Sequence, residues 1–241
     1  MLSKFSYLYA FFLVFAGGCS FENNKSTPKI PLYDESLPIL KGLIDRVAKN
    51  SSNNLVLNST GGSTRVSLEI AKLLKDNHID LIVDKECSSN CAEILLPSAN
   101  TVTFKNNPII AFHGNILSYK HFLNSSENIK GSKCNWQYAY DLEKILIDKD
   151  MNLDFWSHQM ERLEPNVTFE VDRSGCPWRR YNFKNIAWLP NSNQLRNMWG
   201  LKFSGSVCAD RINLCRKKID KRWEKGTRIV IGDEIYVSGD N

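Results

Sequence analysis

The stretch Leu55-Val56-Leu57-Asn58-Ser59-Thr60-Gly61-Gly62-Ser63 decides the fold. Three apolar residues of strand character run into a polar loop that ends in two glycines. A helical pattern follows, with Val66, Ile70, Leu73 and Leu74 on one face. Ile79 to Val83 is then a continuous apolar run of strand length, as expected of a parallel strand covered on both faces. Strand, loop, helix and strand in that order predict an α/β layer fold with a mostly parallel sheet.

Upstream, apolar residues at 37, 40, 43, 44 and 47 have helical spacing. Downstream, Cys87 to Cys91 reads as a polar, cysteine-bounded turn leading into a helix over Ala92 to Leu96. Thr101 to Phe104 and Pro108 to His113 read as strands. Tyr140 to Ile147 and Leu153 to Leu163 read as helices. Lys184 to Leu189 is expected to be a strand, and Ser192 to Trp199 a helix closed by Gly200. Thr227 to Val237 alternates around Gly232-Asp233, the pattern of a terminal hairpin. Trp178, Tyr181, Phe183 and Trp188 are expected in the core. The main domain is placed at 37–205, with a basic, disulfide-bearing extension and its hairpin at 206–241.

Of 241 residues, 42% are hydrophobic and 24% charged, which excludes a disordered chain, a collagen and a polytopic membrane protein. A net charge of +5 is too small for a dedicated nucleic-acid binder, so no nucleic-acid partner is expected. The basic run from Arg211 to Lys225 reads as a solvated helix face.

The chain opens with one positive charge, Lys4, and an apolar run from Phe5 to Ala16. That is the pattern of a secretory signal, too short to span a bilayer. It ends Phe15-Ala16-Gly17-Gly18-Cys19-Ser20, which resembles the lipobox of bacterial lipoproteins. The resemblance implies a signal peptide over 1–18 and a lipidated Cys19, followed by a polar tether to residue 36. It also implies a periplasm-facing anchor in the bacterial cell envelope, with Ser20 favouring the outer membrane. A plain signal peptide with an incidental cysteine is the alternative.

Seven cysteines, less Cys19, leave an even number: Cys87, Cys91, Cys134, Cys176, Cys208 and Cys215. In an exported chain this favours disulfides, with fifteen pairings open. Spacing favours Cys87 with Cys91, Cys208 with Cys215, and Cys134 with Cys176. No Cys-x-x-Cys pair or histidine cluster suggests a metal, and no cofactor is expected.

Three polar pieces stand at strand ends: Asn58 to Gly62, Cys87-Ser88-Ser89-Asn90-Cys91, and His113. Sites in parallel sheets gather at the carboxyl ends of strands. Two glycines can expose a backbone amide to an oxyanion. A serine at a helix N-terminus has a second exposed amide after it, and a histidine can take its proton. Taken singly, each has a plainer use, as turn, helix cap or core histidine.

Together, Leu55 to Ser63, Cys87-x-Ser89-x-Cys91 and Ile110-Ala111-Phe112-His113-Gly114 resemble the Clp-protease-like branch of the crotonase fold. They are most similar to its exported members. The resemblance spans about Leu55 to Gly114 and, more weakly, Trp188 to Gly200. It implies repeated ββα units and a serine peptidase or esterase acting on a peptide or acyl substrate. In that reading Ser89 is the nucleophile and His113 the base, while Gly62 and the amide of Asn90 form the oxyanion hole. Counting without gaps from the glycines puts Cys91 in the nucleophile's place instead. Thr60 stands where the family has proline. No carboxylate occupies the family's third position, and Asn185 or Asp172 are the substitutes. Family members often form rings or trimers. A non-catalytic binding module on the same fold and a Cys91 thiol enzyme are the rival expectations.

Overall fold

The computed structural model describes residues 29–49, 53–114, 137–171 and 177–239, with backbone alone over 165–183. The first half of the chain contains α1 (Leu37–Ala48), β1 (Asn54–Val56), α2 (Thr64–Asp76), β2 (Asp80–Val83) and β3 (Glu86–Ser88). A π-helical turn, Cys91–Leu95, runs straight into α3 (Leu96–Ser98). β4 (Val102–Phe104) and β5 (Ile109–Ala111) follow. The second half holds α4 (Gln137–Asp148), α5 (Phe155–Leu163), β6 (Pro165–Val171), β7 (Pro177–Phe183) and β8 (Ala187–Leu189). It ends with α6 (Ser192–Asn197), β9 (Ser204–Gly205), α7 (Ile212–Arg222), β10 (Arg228–Ile231) and β11 (Glu234–Val237). No helix among the described residues is long and apolar enough to cross a membrane.

The architecture is α/β with mostly parallel sheets. β1, β2, β4 and β9 pair in that order, each contact parallel, with Leu55 opposite Leu81 and Leu81 opposite Val102. α2 covers this sheet with Val66, Ile70 and Leu74, all fully buried. Its spacing is the one the sequence displays, because a helix must bury one stripe to be stable at this length. α1 begins with Pro38 in its first turn, where a missing N–H costs nothing, and buries Leu40 and Ile44.

A second layer is built on β5. It pairs in parallel with β3, Cys87 opposite Ile110. At its end Phe112 and Trp188 exchange backbone hydrogen bonds of 2.9 and 2.8 Å, which joins β8 in antiparallel sense. β8 then pairs in parallel with β10, which forms the terminal hairpin with β11. The segment expected to be a mere extension therefore belongs to the central layer, with Ile229, Val230 and Ile231 buried. β6 and β7 form a separate antiparallel hairpin that hydrophobic periodicity did not suggest.

Two further corrections concern the site. The stretch expected to be a turn from Cys87 begins as a strand, because Glu86 to Ser88 is paired on both sides. Ser59 N–H donates to the Glu86 carbonyl and Ser88 N–H to the Ser59 carbonyl, both at 2.9 Å, while β5 holds the other edge. The expected tether also ends early. Ile30 N–H donates to Asn58 O at 2.8 Å and Leu32 N–H to Gly61 O at 2.9 Å, with Leu32 fully buried. Its apolar side chain fits a site that a polar linker would leave open to water.

The core centres on stacked aromatics. Phe155 lies 4.8 Å from Trp199, 5.1 Å from Trp188 and 5.3 Å from Phe112, centroid to centroid. Phe112 immediately precedes His113, so the strand end that carries the histidine is anchored in this aromatic cluster. Trp188 fulfils the core expectation; the side chains of Trp178, Tyr181 and Phe183 lie outside the described residues. Cys87 is bonded to Cys91, and Cys208 to Cys215. Cys19, Cys134, Cys176 and Asp172 lie outside the described residues.

Candidate active site

The first loop is knitted to the second by its own polar side chains. Asn58 is fully buried. Its Oδ1 accepts from the Lys85 amide at 2.9 Å, and its Nδ2 donates to Asp84 at 2.5 Å. An asparagine is needed here because one amide must both accept and donate across a β2–β3 turn. Ser59 Oγ accepts from Gly61 N–H at 3.1 Å, which sets the sharp bend into the glycines.

Gly61 has φ +90° and faces Ser89 directly. A Cβ on Gly61 would lie 2.5 Å from Ser89 Cβ and 2.8 Å from Ser89 Oγ. Only a residue without a side chain lets the two loops approach this closely. Gly61 O and Ser63 N–H both bond Leu32, whereas Gly62 O accepts from Asn90 Nδ2 at 2.6 Å. Leu32 therefore bonds the groups on either side of Gly62, while the Gly62 carbonyl faces Asn90. Among the described residues neither the Gly62 nor the Asn90 amide N–H has an acceptor.

Ser89 occupies the junction between β3 and the π turn with φ +57°, a left-handed conformation that a residue with a Cβ seldom adopts. Its N–H donates to Ala111 O at 2.8 Å, and its carbonyl accepts from Glu93 N–H at 2.9 Å. Such strain persists only where its surroundings over-determine it, and it concentrates at functional positions. Here the strand pairing, the Cys87–Cys91 bond and the helical turn all fix it. Ser89 is 7% exposed, and among the described residues its Oγ makes no hydrogen bond. Its neighbour Ser88 is committed, donating to Glu86 Oε1 at 2.9 Å. Glu86 is in turn held by Lys29 and by Arg222 Nε at 3.1 Å.

His113 is exposed at the end of β5, two residues beyond the Ala111 carbonyl that holds Ser89. The strand pairing brings it to the same end of the sheet as Ser89 and the glycine loop. Among the described residues no hydrogen bond joins its ring to Ser89 Oγ. Cys91 is fully buried and disulfide-bonded, so its thiol is not available as a nucleophile. Asn185 is occupied elsewhere. Its Nδ2 donates to Arg162 O at 2.8 Å and its Oδ1 accepts from Arg228 Nε at 3.4 Å, which ties the end of α5 to β10.

Sequence reading missed Glu93. It is fully buried, one helical turn after Ser89, inside the apolar run Ala92 to Leu96. Its Oε1 accepts from Gln159 Nε2 of α5 at 3.0 Å, while Oε2 closes no hydrogen bond of normal geometry. The backbone amides of His113 and Gly114 face the same carboxyl. Burial pushes its pKa up, opposed chiefly by the charge of His113 and the Gln159 bond. A lone carboxylate in an apolar run is the signal that could have revealed it, since an unpaired charge is almost never buried without a use.

Among the described residues no cluster of His, Cys, Asp or Glu could hold a metal ion. A cavity of about 210 Å³ lies beside α3, lined by Leu96, Val102, Lys149, Met151 and Leu201, and it includes none of the residues above. Neither protein-family models nor curated proteins give a match to this chain.

Proposed function

We propose that the protein is a serine hydrolase of peptidase or esterase type with a Clp-protease-like, crotonase-type fold. One observation carries the reading: Ser89 is held left-handed at a strand-to-helix turn, against a side-chain-free Gly61, beside two backbone amides that have no acceptor among the described residues. Ser89 Oγ attacks an acyl carbon and passes its proton to His113. The carbonyl electron pair moves to oxygen, where the Gly62 and Asn90 amides receive the charge. Collapse expels the leaving amine or alkoxide, which takes the proton back from His113. Water then attacks the acyl-enzyme in the same way, releasing the acid and restoring Ser89. The ring of His113 need not touch Ser89 beforehand, since such bonds often tighten only with substrate bound.

In the same reading the chain is exported and anchored through lipid on Cys19, facing the periplasm. The lipobox-like Ala16-Gly17-Gly18-Cys19 and the two disulfides among the described residues support an oxidising compartment. A ring or trimer belongs to the same proposal through the family resemblance alone. A non-catalytic binding module is the second reading, favoured by the lack, among the described residues, of a hydrogen bond between Ser89 Oγ and the His113 ring, and by the disulfide that spans the turn.

Fluorophosphonate labelling of the full-length protein with native disulfides, beside Ser89→Ala, separates them. Labelling lost in the variant is expected. A folded wild-type protein that takes up no label would overturn the hydrolase reading in favour of the binding module.

A further inference from the structure

We propose that Glu93 is the positioning residue for His113, a third member that Asn185, committed to Arg162 and Arg228, does not supply. This inference rests on the hydrolase reading. Its geometry is independent of the family pattern, because Glu93 stands on the nucleophile's own helical turn.

Three observations bear on Glu93. Its backbone N–H holds the Ser89 carbonyl at 2.9 Å, so the turn that strains the serine also places Glu93. Gln159, itself fully buried on α5, fixes Oε1 at 3.0 Å and thereby the rotamer. Oε2 closes no hydrogen bond of normal geometry among the described residues, and the amides of His113 and Gly114 face the group. A carboxyl buried with a single side-chain hydrogen bond is costly to keep, so it persists where something else requires it. The backbone of His113 reaches this carboxyl from the end of β5, and a positive charge on the His113 ring would favour the carboxylate form against the effect of burial.

The chemistry follows. A base that receives the Ser89 proton becomes an imidazolium, and a buried carboxylate close to it gains attraction as that charge develops. The interaction is weak in the resting enzyme and strong at the moment of proton transfer, so it favours the reaction rather than the bound substrate. The carboxyl also fixes the backbone from which the ring projects, because the amides of residues 113 and 114 are turned toward it.

The test uses wild type, Glu93→Gln and Glu93→Asp, with two readouts. The first is the rate of fluorophosphonate labelling as a function of pH. The second is the pH titration of the His113 ring resonance by NMR, which needs no activity. Glu93→Gln keeps an acceptor for Gln159 and removes the charge. It is expected to slow labelling at least tenfold at pH 7–8, and to move both the acid limb of the rate profile and the His113 midpoint to lower pH. Glu93→Asp restores part of the rate. A His113 midpoint identical in wild type and Glu93→Gln overturns the inference, as does a labelling profile that Glu93→Gln leaves unchanged. Should Glu93→Gln fail to fold, Glu93→Asp is read in its place: a shorter carboxylate that leaves rate and midpoint unaltered overturns the inference equally. Absence of labelling in wild type with a shifted His113 midpoint refutes the hydrolase reading and leaves the Glu93–His113 coupling standing.

Discussion

Replacing Ser89 by glycine and by alanine tests whether its backbone is truly held under strain. Both variants lack the hydroxyl, and both keep the N–H to Ala111 and the carbonyl that accepts from Glu93. They differ in one respect, the tolerance of φ +57°. A Cβ in the left-handed region costs roughly 1–2 kcal/mol, which glycine avoids. Glycine loses about 0.5–1 kcal/mol more conformational entropy on folding than alanine. The difference leaves Ser89→Gly more stable than Ser89→Ala by about 0.5–1 kcal/mol, the reverse of the order at an ordinary helical or strand position. For a chain of this size that is a gap of about 2 °C in Tm. Urea unfolding with disulfides intact, followed by tryptophan fluorescence, measures it. A Ser89→Ala protein as stable as Ser89→Gly, or more so, would refute the claim of strain and remove the main support for a catalytic turn.

Gly61→Ala places a methyl within 2.5 Å of Ser89 Cβ at φ +90°. It should lose about 2–4 kcal/mol by strain and overpacking, and lose fluorophosphonate labelling; denaturant midpoints and the labelled fraction report both. Replacing Cys87 and Cys91 together by serine removes a short-loop disulfide that contributes about 2 kcal/mol on a chain-entropy estimate. The expected result is a lower urea midpoint and slower labelling, as the turn loosens. Glu93 has a folded-state pKa raised above its ordinary 4.5 by burial, so the native state binds more protons than the unfolded state above that pH. Its presence therefore costs stability increasingly as pH rises from 4.5 through the folded pKa, and costs none below. Wild type should lose ground to Glu93→Gln between pH 4.5 and pH 8 in urea titrations, and a gap that stays constant would contradict this.

The elements that could be read from sequence are those whose stability is local. β1, the glycine loop, α2 and β2 carry their periodicities within a few residues, and the β10–β11 hairpin is marked by Gly232-Asp233. β3 could not be read so, because Glu86-Cys87-Ser88 has neither apolar alternation nor high strand propensity. It is extended only because Ser59 and Ile110, distant along the chain, pair with its two edges. The docking of Leu32 is equally non-local. The placement of the candidate residues was legible in part: Ser89, Gly62, Asn90 and His113 lie at one end of the sheet. Glu93 was hidden because its burial depends on α5, which delivers Gln159 from 66 residues away. Asn185 attracted attention by position alone, and its amide proves to be a clasp between α5 and β10.

The parallel pairing of Lys29 to Leu32 with the loop Asn58 to Gly62 has a mechanical consequence. Leu32 holds the two backbone groups that flank the Gly62 peptide, through Gly61 O and Ser63 N–H. Tension applied to the chain ahead of Lys29 is borne by the Lys29–Glu86 ion pair and a few backbone hydrogen bonds before it reaches any helix. The glycine loop is thus the first part of the core to feel a pull from the N-terminal side. Its amide would be released from its set direction while the layered sheets behind it stayed intact.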